Sequence, residues 1–185
     1  MRNCSMSAKI ITIEKGGTGK TVTASNLAYL MGDEGKKVLC VDTDPQGNLT
    51  KALSGGLSIT SDEFYGKALY NLFDGFLYHS KTRDFIVETQ YENVDMIPCD
   101  AQTPRINKRI ELLIGDAERL KDGDPRKVSG MGDFLCYFLN QVRDDYDYIL
   151  IDTQPTRDSL LLSNAIYAAD YILIPAGCED NSEES

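Results

Sequence analysis

Between residues 9 and 35 the chain runs from a short apolar segment through a glycine-rich turn into a helical pattern, and that order restricts its fold more than any other feature. Lys9-Ile10-Ile11-Thr12-Ile13 is short and β-branched, so it reads as a buried strand. From Lys20 to Met31 the apolar positions Ala24, Leu27, Ala28 and Met31 recur at helical spacing, and Gly32 and Gly35 supply stop signals. The turn between them is Glu14-Lys15-Gly16-Gly17-Thr18-Gly19-Lys20-Thr21. A glycine-rich turn leading from strand to helix aims its backbone N–H groups, and the helix N-terminus behind them, at one small volume that suits a phosphate. Gly16, Gly17 and Gly19 let the main chain approach phosphate oxygens without a Cβ in the way. Lys20 reaches the β- and γ-phosphates as a point charge, and Thr21 is placed to offer its hydroxyl to Mg²⁺. The eight-residue phosphate-loop pattern begins with glycine, whereas Glu14 stands there, and Lys15 adds a second lysine five places ahead of Lys20. The bland alternative is a glycine turn that happens to contain lysines. The Gly-Lys-Thr ending in a strand–loop–helix setting argues against it.

Further along, strand and helix patterns alternate. Continuous apolar runs at 38–41, 94–98, 148–151 and 171–174 follow the first strand, with helical patterns at about 67–78, 103–120, 131–144 and 158–168 between them. Unbroken apolar strands in alternation with helices predict an α/β fold: a mostly parallel, twisted sheet with helices on both faces. The loosest stretches, 54–61 and 121–132, read as surface loops. Tyr65, Tyr70, Phe73, Phe76 and Tyr78 could suggest base stacking, but Leu69, Leu72, Phe73, Phe76 and Leu77 fall at helical spacing and favour a core-facing helix. The length of 185 residues fits a single domain over 1–185.

Composition excludes several classes of function. A net charge of −10 argues against a broad nucleic-acid surface on this stretch, and the basic turn at Arg105, Lys108 and Arg109 reads as a solvated helix face. No stretch approaches a membrane span and the first residues lack an apolar signal segment, so the expected location is cytoplasmic, with no membrane partner. The five cysteines, Cys4, Cys40, Cys99, Cys136 and Cys178, form no Cys-x-x-Cys pair and read as reduced thiols. His79 is the single histidine and has no partner signal, so histidine-dependent hydrolysis finds no support.

Two acidic segments follow strands. In a parallel sheet the strands end at one edge, where ligands bind, so an acid just past a buried strand is delivered to the phosphate loop. Asp42-Thr43-Asp44-Pro45-Gln46-Gly47-Asn48 follows the second strand and Asp152-Thr153-Gln154-Pro155 the fourth. A lone acid there is often only a helix cap. Asp42, Asp44 and Asp152 converging on a loop with two lysines are harder to dismiss, and Asp152 stands where a phosphate-loop protein places the carboxylate that holds Mg²⁺.

Taken together, Lys15-Gly16-Gly17-Thr18-Gly19-Lys20-Thr21, the 42–48 segment and Tyr146-Asp147-Tyr148-Ile149-Leu150-Ile151-Asp152-Thr153 resemble the ParA/Soj branch of the deviant Walker A ATPases, P-loop NTPases that include MinD and the nitrogenase iron protein as cousins. The likeness continues through Ser163-Asn164-Ala165 and Ala168-Ala169-Asp170, and covers nearly all of the chain apart from about 55–90 and 120–130. The resemblance implies ATP and Mg²⁺ as cofactors and a homodimer formed on ATP binding. It makes Lys15 the signature lysine that reaches across the dimer to the partner's phosphates, and Lys20 the lysine that serves its own subunit. By the same likeness Gly16, Gly17, Thr18, Gly19, Thr21 and Val22 line the nucleotide, and Asp44 orients the attacking water. Thr21, Asp42 and Asp152 form the metal set, Asp42 through a bound water.

Slow hydrolysis follows, completed by a ParB-like partner, with non-specific DNA bound by the ATP dimer at the nucleoid. A lysine from the partner then acts like an arginine finger, because phosphoryl transfer needs positioning and positive charge. The chain departs from the family at Val22, where a second threonine is common, and at Gln154, where a proline is usual. It also stops at Ser185, where family members continue for several tens of residues, so the C-terminal part that carries DNA or membrane contacts is expected to be missing. The alternatives are a MinD-like membrane-associated positioning ATPase and a nucleotide-gated regulator without hydrolysis. An iron-protein-like reductase would need Cys99 and Cys136 as cluster ligands, and neither has the glycine-flanked setting of that branch.

Overall fold

Three apolar segments far apart in sequence lie side by side at the centre of the sheet. In the computed structural model, which describes residues 9–13, 19–124, 126–127, 130, 132–154 and 159–175, β1 (Lys9–Ile13) pairs in parallel with β5 (Tyr148–Asp152), and β5 with β2 (Val38–Asp42). β4 (Val94–Ile97) extends the sheet beyond β2, and β6 (Tyr171–Leu173) lies on the other side of β1. A two-residue strand absent from the sequence expectation, β3 (Val87–Glu88), pairs antiparallel with β4, so the order is β3-β4-β2-β5-β1-β6. The expected mostly parallel α/β sheet is present. The register sets Ile13 opposite Asp152 and Asp152 opposite Asp42, so three strands end in line at one edge.

Successive side chains of a strand point to opposite faces, and both faces here are buried. Ile10, Leu39, Val41, Ile97, Ile149 and Ile151 enter one core, while Ile13, Val38, Cys40, Val94, Met96 and Leu150 enter the other. α1 (Lys20–Asp33) and α2 (Asn48–Leu53) cover the second face through Ala24, Ala28, Leu49 and Leu53. α3 (Leu69–Asp74), α4 (Ile106–Glu118), α5 (Asp133–Asn140) and α6 (Leu160–Ala168) cover the first. Leu69, Leu72, Phe73 and Phe76 are fully buried, with Phe73 and Phe76 edge-on to Phe138. These rings are core rather than a stacking platform, while Tyr65 and Tyr78 are exposed.

Helix boundaries differ from expectation for local reasons. The 67–78 pattern forms α3 and then a tighter 3₁₀ turn over Gly75–Tyr78, which closes at His79 with a φ of 57°. The 103–120 pattern starts as a 3₁₀ turn, Thr103–Arg105, because Pro104 supplies no N–H and suits a first turn. Of the basic turn, Arg105 and Lys108 are exposed as a solvated face requires, whereas Arg109 is largely buried and paired with Asp74. α2 was not expected from the sequence: its six residues are too few to show a helical period. Among the described residues no helix is long and apolar enough to cross a membrane.

Candidate functional site

The sheet reverses its winding at β1: the chain leaving β1 passes to β2, beyond β5, while the chain leaving β5 crosses to β6 on β1's other side. Ligands of open α/β sheets bind in the crevice that such a reversal opens beyond the strand ends. Here the aligned ends present Asp42 and Asp152, both almost wholly buried, on the face that α1 and α2 cover. Of the loop expected to bind phosphate, Glu14, Lys15, Gly16, Gly17 and Thr18 lie outside the described residues, as does Pro155. Gly19 is described. Its φ of 79° is left-handed, the region glycine enters without penalty, and its carbonyl accepts the Thr23 N–H that opens α1.

Thr21, in the first turn of α1, donates its hydroxyl proton to Asp152 Oδ2 at 2.7 Å. A threonine whose proton is engaged in this way keeps its lone pairs for a cation. The other oxygen, Asp152 Oδ1, is buried and has no hydrogen-bond partner among the described residues. A buried carboxylate oxygen without a donor is costly unless a ligand or water completes it. Burial pushes the Asp152 carboxyl up to about 6, against the opposing pull of the Thr21 hydroxyl and the Lys20 charge, with Asp44 adding to the rise. Lys20 is itself 8% exposed, so a cationic and two anionic side chains share this pocket.

Asp42 behaves differently. Its Oδ2 accepts both the N–H and the hydroxyl of Thr50, at 2.8 and 2.7 Å, and its Oδ1 accepts the Asp44 N–H at 3.1 Å. The Thr50 hydroxyl oxygen in turn accepts the Cys99 N–H at 3.0 Å, which ties the ends of β2 and β4 to α2. Burial pushes Asp42 up to about 7 in spite of these bonds. Asp42 therefore staples its own loop, and one lone pair of Oδ1 is left for the water contact expected of it. Asp44 is 8% exposed and accepts the Gln46 N–H at 2.9 Å. Gly47 then turns with a φ of 64°, and a Cβ there would lie 2.1 Å from Ile59 Cγ2 and 2.9 Å from Cys99 Sγ, so only glycine fits.

Two threonines complete the edge. Thr43 directs both its N–H and its hydroxyl to the Asp152 carbonyl, and Thr153 directs its hydroxyl to the Ile13 carbonyl at 2.8 Å. Together they stitch β2, β5 and β1 at the point where the acids emerge. Sequence reasoning overlooked Thr43, Thr50 and Thr153, although the repeated Asp-Thr at 42–43 and 152–153 was a visible signal. Val22 is 62% exposed. Cys99 and Cys40 are buried thiols that burial pushes upward, which is the opposite of what a thiolate ligand needs. Cys136 is free and half-buried, and no metal-binding cluster of His, Cys, Asp and Glu occurs among the described residues.

Comparison with known proteins agrees with this geometry. A family model described as an AAA domain matches residues 8–185. The sporulation initiation inhibitor protein Soj of Bacillus subtilis (strain 168) is 35% identical over 169 residues, which are 91% of this chain and 57% of that protein. The chain belongs to this AAA-domain family, in its ParA/Soj branch. The chromosome partitioning protein ParA of Caulobacter vibrioides (strain NA1000 / CB15N) is 30% identical over 171 residues, 91% of this chain and 55% of that ParA. A crystal structure of a plasmid partition protein from Borrelia burgdorferi B31, bound to AMPPNP, superposes with a TM-score of 0.68 at 26% identity, over 94% of this chain and 63% of that one. The chain thus spans between half and two thirds of the length of these ParA/Soj-type relatives.

Proposed function

We propose that this chain is the nucleotide-binding part of an ATP-dependent dimerisation switch that acts in plasmid or chromosome partitioning. The observation that carries the reading is the pair formed by Thr21 and Asp152, with Asp152 Oδ1 buried and open beside Lys20 at the reversal of the sheet. That donor set is all oxygen, as a hard divalent cation such as Mg²⁺ requires. Thr21 and Asp152 would hold the magnesium of a bound ATP, with Asp42 Oδ1 reaching a water on it. Magnesium supplies positive charge to the triphosphate when bound.

The remaining work belongs to the chain. Lys20 sets its charge against the β- and γ-phosphates, beside the N-terminus of α1, and Gly16, Gly17, Thr18, Gly19 and the Val22 N–H line the nucleotide. Asp44, held by the Gln46 N–H and by its bond to Asp42, orients the attacking water. Lys15 reaches the phosphates of a second copy, which makes hydrolysis depend on dimerisation, and a ParB-like partner accelerates it. Contact with non-specific DNA is assigned to the length of the relatives that lies outside the aligned span, since a net charge of −10 leaves this chain without a broad basic surface of its own. ATP-dependent residence on the nucleoid, in the cytoplasm, follows from that assignment.

Gel filtration of wild type, Lys15→Ala and Asp44→Ala with ATP and Mg²⁺ tests the reading. Asp44→Ala should accumulate the dimer, and Lys15→Ala should stay monomeric or fail to hydrolyse. Lys15→Ala protein that dimerises and hydrolyses like wild type contradicts the cross-subunit role. Wild type that dimerises with ATP but releases no phosphate, even with DNA and partner present, reduces the protein to a nucleotide-gated scaffold.

A further inference from the structure

Two residues beyond Asp152, Gln154 stands where the ParA/Soj resemblance leads one to expect proline, and its side chain is engaged. We infer that Gln154 is a positioning residue which, through Ser159 and Asn107, fixes the exit of β5, and with it Asp152, to the first turns of α6 and α4. The inference rests on the ATP-site reading above and adds to it a role for Gln154.

Ser159 precedes α6 and is 3% exposed. A hydroxyl has one proton to give and two lone pairs. Ser159 Oγ lies 3.2 Å from Asn107 Oδ1, 3.3 Å from the Leu162 N–H and 2.6 Å from Gln154 Nε2. The carbonyl-type Oδ1 of Asn107 cannot donate, so the Ser159 proton goes there, and Ser159 accepts from the amide of Gln154 and from Leu162. Asn107 Oδ1 takes a second donor, the Leu161 N–H, at 3.0 Å. Each atom in the chain from Gln154 to α4 thus has a single compatible role, and the Gln154 amide is the only member that belongs to the β5 exit. Proline at 154 has no side-chain donor and breaks the chain at that point.

The link has a mechanical consequence. Asp152 and Gln154 are separated by one residue, Thr153, whose hydroxyl is pinned to β1. Asn107 lies in the first turn of α4, eight residues past Cys99, whose N–H is held by the Thr50–Asp42 staple. The connection between β4 and α4 is therefore gripped at one end from the β2 acid and at the other from the β5 acid. Displacement of either acid is opposed by the other through this segment, so the two acidic loops are held in register.

Amide exchange at Leu161 and Leu162 without nucleotide, followed by steady-state ATP hydrolysis with Mg²⁺, tests the inference on wild type, Gln154→Leu and Ser159→Thr. Loss of one buried hydrogen bond should raise exchange at both amides about three- to tenfold in Gln154→Leu. The same variant should need about three- to tenfold more Mg²⁺ for half-maximal ATP hydrolysis, because a misplaced Asp152 weakens the hold on the magnesium-bound nucleotide. Ser159→Thr keeps the hydroxyl and should leave both near wild type. Exchange in Gln154→Leu equal to wild type overturns the brace, and raised exchange with an unchanged Mg²⁺ requirement overturns its link to the site. If wild type itself releases no phosphate, the hydrolytic reading fails while the exchange result still decides the brace.

Discussion

The β2 and β5 acids sit opposite each other in one register, yet they use their oxygens in opposite ways. Asp42 receives three donors from its own loop, two of them from Thr50, while Asp152 receives one from Thr21 and keeps a buried oxygen open. The first is committed to holding the structure, and the second retains capacity for a ligand. Equal burial and identical chemistry thus do not make two carboxylates equivalent, because what decides their roles is how many donors the fold already supplies.

Substitutions that separate stability from cation response test this contrast most strongly at Asp42. Asp42→Asn turns an NH₂ toward one of the three donors and leaves it unsatisfied in the interior, so urea unfolding should show a loss of about 2–4 kcal/mol. Asp152→Asn should reverse the pattern. Nucleotide-free stability holds or rises, because a buried charge with an open oxygen is removed, while ATP affinity in Mg²⁺ falls about 10–100-fold by titration calorimetry.

The pH dependence comes next in size. Both carboxyls are raised above the ordinary 3.8, to about 6 for Asp152 and about 7 for Asp42, so the folded state holds these protons more tightly than the unfolded chain. Their contribution to stability is complete below pH ~4 and is lost as pH rises through about 6 and about 7. Thermal melts without nucleotide should therefore decline over that window, and Mg²⁺ with ATP should offset the Asp152 share but not the Asp42 share. The smallest effect is expected at Thr50. Thr50→Val should cost about 1 kcal/mol through loss of the hydroxyl link between Asp42 and Cys99, and Thr50→Ser should not. Equal melting temperatures for the two Thr50 variants would mean that the staple is carried by backbone bonds alone.

Much of this architecture was legible because it depends on periodicity. β2 and β5 follow unbroken apolar runs, and the strand, glycine turn and helix over 9–33 could be read as one phosphate-loop unit. β3 was not legible, since two residues carry no period and its existence depends on the edge that β4 offers. The acids were located correctly by their place after strands, but their division of labour was not. That division is set by Thr50, six residues beyond Asp44 in sequence, and by a turn at Gly47 that folds α2 back onto Asp42. Gln154 is the converse case. As a sequence letter it was only a departure from a family pattern, and its link through Ser159 to Asn107, 47 positions away, emerged only when α4 and α6 were packed together.

The central claim is that the open oxygen of Asp152 serves a magnesium-bound nucleotide. Calorimetric titration of ATP into wild type and Asp152→Asn, each with and without Mg²⁺, tests it most directly. The account predicts that Mg²⁺ strengthens ATP binding to wild type at least tenfold and that Asp152→Asn loses most of this gain. Wild type that binds ATP equally well without Mg²⁺, or Asp152→Asn that keeps the full gain, would contradict it.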